Sequence, residues 1–197
     1  MLFRSFFTTL QSLGKHGELS LFLAGLLEEI RRVVPSPRGF IAARRRRRWQ
    51  SLADVDMGPE EDWLPPQHAL GALAQETLSR GTPLRSGDAD WEEWVETHPE
   101  GSSLRGRSLV AIPFEASELF SAALVLERPT AGHPFQQQEM DRISELMTLV
   151  RGQLAALAKT ADLLEYEQSE IGSRAALDDD LSEMLDRKST RLNSSHT

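Results

Sequence analysis

Apolar residues recur every three or four positions in four stretches of the chain, which is the pattern of amphipathic helices. The stretches cover residues 2–13, 19–34, 67–80 and 137–171. A proline follows the second stretch and a glycine follows the third, and both residue types end helices. At 1.5 Å per residue the last stretch forms a helix about 50 Å long. Because this exceeds the width of a small domain, we expect the helix to project beyond its own core.

Two sets of positions repeat every seven residues along this last helix, one starting at Met140 and the other at Ile143. Apolar residues at both sets over several heptads predict a helix that pairs with another helix. A long surface helix that bends back onto its own sheet is the alternative. The side chains that we assign to a dimer interface are Ile143, Met147, Val150, Leu154, Leu157, Ala161 and Leu164.

Two short runs, 109–114 and 119–126, are almost continuously apolar and predict strands buried on both faces. Pro113 is expected to close the first run, and the polar residues between the two runs make them a central hairpin. Further upstream, 40–43 and 49–55 predict a second strand pair, because apolar and polar residues alternate there. The chain therefore combines a sheet with terminal helices, an α+β fold class.

Five consecutive arginines, 44–48, join the strands of the second pair. Such runs are found in nucleic-acid-binding segments. The chain as a whole is acidic, however, with a formal net charge of −8, and no aromatic residues are interleaved with the arginines. A solvated hairpin tip is the favoured interpretation. Contact with an anionic ligand or an acidic partner is the alternative, and we expect no direct binding of nucleic acid.

The composition excludes several kinds of chemistry. The chain has no cysteine, which excludes disulfides, thiol catalysis, zinc–thiolate sites and a thioether-linked chromophore. It contains no phosphate-binding glycine loop, no H-E-x-x-H and no G-x-S-x-G motif, so we expect no enzyme and no metal site. No run of about 18 apolar residues is present to span a membrane. We therefore expect a cytoplasmic protein.

Three tryptophans stand in the middle of the chain, near the loops that are expected to cover the sheet. Tryptophan in such loops often lines a pocket or contacts a partner. The candidates for a ligand pocket are thus Trp63, Trp91 and Trp94, together with Arg107 at the start of the central hairpin. The alternative is that the tryptophans cap the hydrophobic core from outside.

The last residues differ in composition from the rest of the chain. Residues Asp186 to His196, DRKSTRLNSSH, resemble a translated sequencing adapter and include the only asparagine, Asn193. We expect 186–197 to be such an artefact, with a natural protein that continues beyond Leu185. The expected organisation is an N-terminal helical extension over 1–16, one folded domain over 17–160, and a coiled-coil linker over 161–185 that leads to a further domain.

The element order and several motifs resemble those of a GAF domain, the small-molecule sensing module of bacterial signalling proteins. RGFIAARR resembles the first strand of that family, and ALAQETLSRGTPLRSGDAD resembles its helix with the following short strand. RSLVAIPF, SAALVLERP and FQQQEMDRISEL resemble its most typical portion. The resemblance covers about Leu19 to Ala158. It implies an antiparallel sheet with the terminal helices on one face and a ligand pocket on the other.

The resemblance also implies a function. GAF domains are usually dimeric, and their terminal helices extend as coiled coils to an output domain. We therefore expect a regulatory homodimer that binds an unknown small molecule or a partner and relays this through the last helix. The missing cysteine argues against a bilin, and Phe135 and Glu139 keep only a fragment of the cyclic-nucleotide pattern. Residues 169–185 resemble the start of the ATPase domain of enhancer-dependent transcription activators. A ligand-free dimerisation or interaction domain is the alternative.

Overall fold

The computed structural model describes residues 19–34, 38–45, 48–64, 68–117, 120–128 and 133–161. The helices are α1 (Leu19–Val33), α2 (Ala69–Arg80), α3 (Ala89–Thr97) and α4 (137–161). The strands are β1 (Arg38–Arg45), β2 (Arg48–Val55), β3 (Leu84–Arg85), β4 (Ser108–Ser117) and β5 (Phe120–Arg128). This order confirms the predicted sequence of elements from Leu19 onward, while the helix predicted over 2–13 lies outside the described residues. No helix in the described ranges is both long and apolar enough to cross a membrane.

All five strands form one antiparallel sheet with the order β2-β1-β5-β4-β3. The central hairpin predicted from the two apolar runs is β4–β5, which confirms that prediction. The expected end at Pro113 is wrong, because β4 continues through it to Ser117. Beyond Ile112 the strand has β5 as its only neighbour among the described strands, since β3 pairs only with Val110 and Ala111. A proline is tolerated at an edge strand because the backbone N–H groups that point away from the sheet have no neighbouring strand to hydrogen-bond, so the missing N–H of proline costs nothing there.

The two faces of the sheet are covered by different helices. One face carries Phe40, Ala42, Leu109, Ala111, Ala123 and Val125, which form a single buried cluster with side chains of α2 and α3. The intervening strand residues point to the opposite face, because successive side chains of a strand alternate. The buried residues of α1 are absent from the first cluster, and α1 contacts β1 and β2. The helical layer that contains α1 therefore covers this second face.

The apolar stripe of α4 is buried within the single chain. Ile143 and Val150 have no solvent exposure, and the other members of the stripe up to Leu157 are also buried. Leu149, on the outer side of the same helix, is 50% exposed. The stripe over 140–157 is thus already covered in one copy of the chain. Leu164 lies outside the described residues.

The segments that were expected to be loops contain short helical turns. A 3₁₀ turn at Glu60–Asp62 precedes Trp63, and another at Gly101–Leu104 precedes β4. α3 is longer than the single turn that was expected around its two tryptophans. The chain divides into two compact units, Met1–Ala158 and Lys159–Thr197, and the sheet and helices α1 to α3 belong to the first.

Candidate ligand site and the start of the last helix

A buried carboxylate joins two arginines at one end of the sheet. Glu127 near the end of β5 is the antiparallel partner of Arg38 on β1, and Arg107 immediately precedes β4 on its other side. Glu127 Oε2 lies 2.5 Å from Arg38 Nε, and Glu127 Oε1 lies 2.5 Å from both Nε and Nη2 of Arg107. The glutamate is buried while both guanidinium groups reach the surface. The three side chains together carry one excess positive charge.

These two arginines line a cavity of about 400 Å³, a size that suits a small molecule. The apolar part of the wall consists of Met57, Trp63, Ala69 and Leu70. The polar part consists of Arg38, Asp62, His68, Glu100, Ser103 and Arg107. The structure thus brings together two of the four sequence candidates, Trp63 and Arg107, at one cavity.

Trp63 is fixed in the cavity wall by contacts on several sides. The centroid of its ring lies 4.4 Å from the centroid of the Phe40 ring, and its indole Nε1 donates to the carbonyl of Gly58 at 3.3 Å. The preceding turn is tied to β2, because the backbone N–H of Ser51 donates to Glu60 Oε1 at 2.9 Å. The ring is only 4% exposed, so it can offer a ligand little more than an edge.

Trp91 and Trp94 do not line this cavity. Both belong to the buried cluster between the sheet and α2–α3, with 3% and 2% exposure. Their ring centroids are 5.8 Å apart, and Trp94 also stacks on His98 at 5.0 Å. The space in which the sequence led us to expect a ligand is therefore occupied here by the side chains of the chain itself.

The cavity wall also includes the amino end of α2. His68 occupies the N-cap position but makes no side-chain hydrogen bond to the first turn, which contains no acidic residue. The first N–H groups of a helix have no intrahelical partner and carry a partial positive charge. Across the cavity, the turn at Gly101–Leu104 lies directly against α3, because a Cβ on Gly101 would come within 2.7 Å of the Val95 backbone.

The residues next to Arg107 and Glu127 point to the opposite face and hold the start of α4. Ser108 Oγ donates to the carbonyl of His133 at 2.9 Å, and Arg128 Nη1 donates to the same oxygen at 3.3 Å. Arg128 Nη2 also pairs with Glu139 Oε1 at 2.5 Å. Side chains on a strand alternate between its two faces. At these two strand ends, Arg107 and Glu127 therefore lie on the cavity side of the sheet, while the adjacent Ser108 and Arg128 contact the start of α4 on the other side.

Two further contacts complete this attachment, which we call the α4 anchor (Arg85, Ser108, Arg128, Phe135 and Glu139). The Arg128 guanidinium lies 4.3 Å from the centre of the buried Phe135 ring, a cation–π contact. Arg85, held by three hydrogen bonds to Asp88, donates to the carbonyl of Phe135 at 3.3 Å. Glu139 Oε2 accepts the backbone N–H of Gln136 at 2.8 Å, which satisfies a donor at the helix start.

The α4 anchor predicts a pH dependence of stability. Burial by itself raises the pKa of Glu139, but hydrogen bonds from Arg128 and from the Gln136 N–H outweigh it and bring the pKa below its ordinary value of 4.5. A carboxyl whose pKa is lower in the folded state stabilises the fold above its unfolded-state pKa. That stabilisation is lost as the pH falls through the folded-state value.

We therefore expect Glu139→Gln to flatten the decline of the unfolding free energy in acid, measured by urea denaturation over a pH series. Arg128→Gln should flatten it similarly, and the double substitution should add little, because both changes remove one interaction. A Glu139→Gln protein with an unchanged acid limb would contradict this assignment.

Sequence reasoning missed Arg38 and Glu127 as site residues. A signal existed, because a charged residue that ends an apolar strand such as SAALVLER is unusual unless it has a partner. The partner could not be identified, however, since strand order and register bring residues 38, 107 and 127 together. In the described part of the chain no group of three or more His, Asp or Glu side chains is placed to hold a metal ion.

Comparison with known proteins identifies the fold. No family model matches the sequence, and no curated protein matches it. Among solved structures, the chain is similar to the GAF domain of an Acinetobacter phosphoenolpyruvate-protein phosphotransferase, with 13% identity, a TM-score of 0.52, and coverage of 80% of this chain and 94% of that one. It is also similar to the phycoerythrobilin-bound GAF domain of a cyanobacterial phytochrome, with 17% identity, a TM-score of 0.51, and coverage of 82% and 97%.

A third similar structure comprises residues 122 to 287 of a methyl-accepting chemotaxis protein, with 17% identity, a TM-score of 0.52, and coverage of 79% and 97%. These matches extend over most of each solved domain. The chain therefore has the fold of GAF domains, as the sequence motifs led us to expect.

Proposed function

We propose that the chain is a regulatory sensor module that binds a small molecule in the cavity beside Arg107 and passes the change to α4. One observation carries this proposal: Arg107 lines the cavity and pairs with buried Glu127, while their neighbours Ser108 and Arg128 hold the start of α4. A ligand that moves either strand end changes the α4 anchor at the same time. The occurrence of similar folds in a phytochrome and a chemotaxis protein supports a signalling role.

The mechanism is a shift between two arrangements of α4. A ligand shifts such an equilibrium only as far as it binds one arrangement more tightly than the other. A ligand that contacts Arg107 alters its pairing with Glu127, and Glu127 is joined by one peptide bond to Arg128. The contacts of Arg128 with His133, Phe135 and Glu139 then favour one position of the helix start.

Beyond the domain, we propose that two copies pair through the continuation of α4, beginning at Ala161 and Leu164. The burial of the stripe up to Leu157 within one chain leaves this later part of the helix for pairing. Residues 161–185 would connect the module to an output domain, for which an enhancer-dependent transcription activator is one candidate. In this proposal the module is cytoplasmic and not itself an enzyme.

A ligand-free interaction domain is the second candidate, and the filled core favours it. The face of the sheet beneath α2 and α3 holds Trp63, Trp91 and Trp94 with at most 4% exposure each. A protein of this kind would use the fold only as a rigid surface for a partner or a second copy. It would then show no stabilisation by any metabolite.

The experiment that separates the two candidates is a thermal-shift screen of a metabolite collection, followed by hydrogen exchange with any compound that binds. A ligand at a hundredfold excess over its Kd stabilises the folded state by about 2.7 kcal/mol.

A sensor should also show altered amide exchange over residues 133–145 when such a ligand binds. In Arg128→Gln the ligand should still bind, but the exchange response of α4 should be lost. Binding without any response at α4 in the wild-type protein would contradict the relay.

A further inference from the structure

The charges around the cavity restrict the kind of ligand that it can hold. Arg107 contacts Glu127 through Nε and Nη2, so Nη1 takes no part in these contacts, and the side chain lines the cavity. Two partly buried guanidinium groups share one carboxylate there. An ionised acid group on a ligand would accept charge-assisted hydrogen bonds from this arrangement, which are about twice as strong as neutral ones.

The amino end of α2 favours a negative charge at the same place. Ala69 and Leu70 line the cavity, and the side chain of the N-cap residue His68 makes no cap hydrogen bond to the first turn of this 12-residue helix. A helix start attracts anions through its free N–H groups and its dipole. The helix start and Arg107 therefore both favour a negative charge within the same cavity.

Two acidic residues on the cavity wall limit the negative charge of the ligand. Asp62 is exposed and Glu100 is half-buried, so both are more strongly screened by solvent than buried Glu127. Together with Arg38, Arg107 and Glu127 these two residues bring the formal charge around the cavity to −1, so the attraction for a single negative charge depends on the stronger solvent screening of Asp62 and Glu100. A second negative charge on the ligand would be repelled by them, because like charges within one site are destabilising.

From this geometry we infer that the cavity takes a small monocarboxylic acid whose apolar body packs on Met57, Trp63 and Leu70. The inference rests on the proposed function, since it names the ligand class of the same cavity. Arg107 and the start of α2 bind the carboxylate, and the apolar wall binds the remainder. A dianionic phosphate ester, a neutral amide and a cation of the same shape all fit this arrangement less well.

The test uses four probes on the full chain that share a phenyl ring and differ in the charge of the attached group: benzoate, benzamide, benzamidine and phenyl phosphate. Titrations are followed by ¹H–¹⁵N NMR at the amides of Ala69 and Leu70 and at Arg107 Nε. We expect benzoate to bind at least about tenfold more tightly than each of the other three, which is the effect of about one charge-assisted hydrogen bond.

The decisive variant is Ala69→Asp, with Ala69→Asn as its matched control. An aspartate in the first turn of α2 favours the helix, so the unliganded protein should melt at the same temperature or slightly higher. Its carboxylate would occupy the place of the ligand's acid group, and benzoate affinity should fall by about tenfold or more. Ala69→Asn has the same size and no charge, so any loss of affinity that it shows measures steric occupancy alone, and benzoate should bind it at least about threefold more tightly than Ala69→Asp.

The possible failures are distinguishable. If benzamide, benzamidine or phenyl phosphate binds as tightly as benzoate at these residues, the ligand class is wrong and the sensor proposal stands. If benzoate binds equally well to Ala69→Asp, the acid group lies elsewhere and the inference is overturned. If none of the four probes shifts these signals at millimolar concentration, both the ligand class and the cavity as a ligand site fail.

Discussion

Replacement of Val150 by aspartate should destabilise the domain strongly. Val150 has no solvent exposure, and it lies in the middle of the apolar stripe of α4. The substitution removes a buried apolar side chain and places an unpaired carboxylate in its position, which costs about 4 kcal/mol or more. Since domains of this size are stable by only about 5–15 kcal/mol, the urea midpoint should fall sharply.

The neighbouring residue provides the matched control. Leu149 is 50% exposed, so Leu149→Asp should change the unfolding free energy by no more than about 0.5 kcal/mol. Urea denaturation and near-UV circular dichroism of the two variants measure this contrast. A Val150→Asp protein that keeps the wild-type urea midpoint but has lost its dimers would contradict this prediction and support the sequence interpretation, in which the stripe over 143–157 faces a second copy.

Replacement of Glu127 by alanine should have the second largest effect. Glu127 is 4% exposed and is the shared counter-charge of Arg38 and Arg107. Its removal leaves two guanidinium groups close together without a carboxylate. Breaking a fully buried pair costs about 3–5 kcal/mol. Because 40% of the Arg38 side chain and 30% of the Arg107 side chain are exposed, solvent reduces the expected loss to about 2–3 kcal/mol.

Two comparisons separate the charge from its surroundings. Glu127→Gln keeps the shape but not the charge, so it should lose most of the same stability. Glu76→Gln removes the carboxylate that pairs with Arg80 on the exposed side of α2, and we expect the unfolding free energy to change by less than about 1 kcal/mol there.

Added sulfate should stabilise Glu127→Ala more than the wild type, because it supplies the missing negative charge. Equal losses in Glu127→Gln and Glu76→Gln would contradict the role assigned to the buried carboxylate.

The interpretation of the last helix illustrates the limit of periodicity. An apolar stripe at heptad spacing indicates that one side of a helix is buried, but the same stripe arises whether the covering surface belongs to a second helix or to the chain's own domain. The burial of Ile143 and Val150 in a single copy identifies the covering surface over this part of α4 as the chain itself.

The tryptophans illustrate a second limit. Their position in loops near the sheet was evident from the sequence. The surrounding sequence does not distinguish a buried indole from one that lines a pocket, however, because both occur in the same local pattern of residues. Trp63 reaches the cavity, whereas Trp91 and Trp94 fill the space between the sheet and α2–α3. This difference arises because the turn at Glu60–Asp62 places Trp63 beside Phe40, while α3 directs the other two inward.

The sequence by itself determined the elements of this protein, their order and the GAF fold. Apolar periodicity and end signals such as Gly81, with its left-handed backbone, act within a few residues and are visible in the chain. The tertiary structure alone decided the site. Arg38, Arg107 and Glu127 are distant in sequence and meet only because β1, β5 and β4 are neighbours in register. The same register places Ser108 and Arg128 at the start of α4, because side chains on a strand alternate between its two faces.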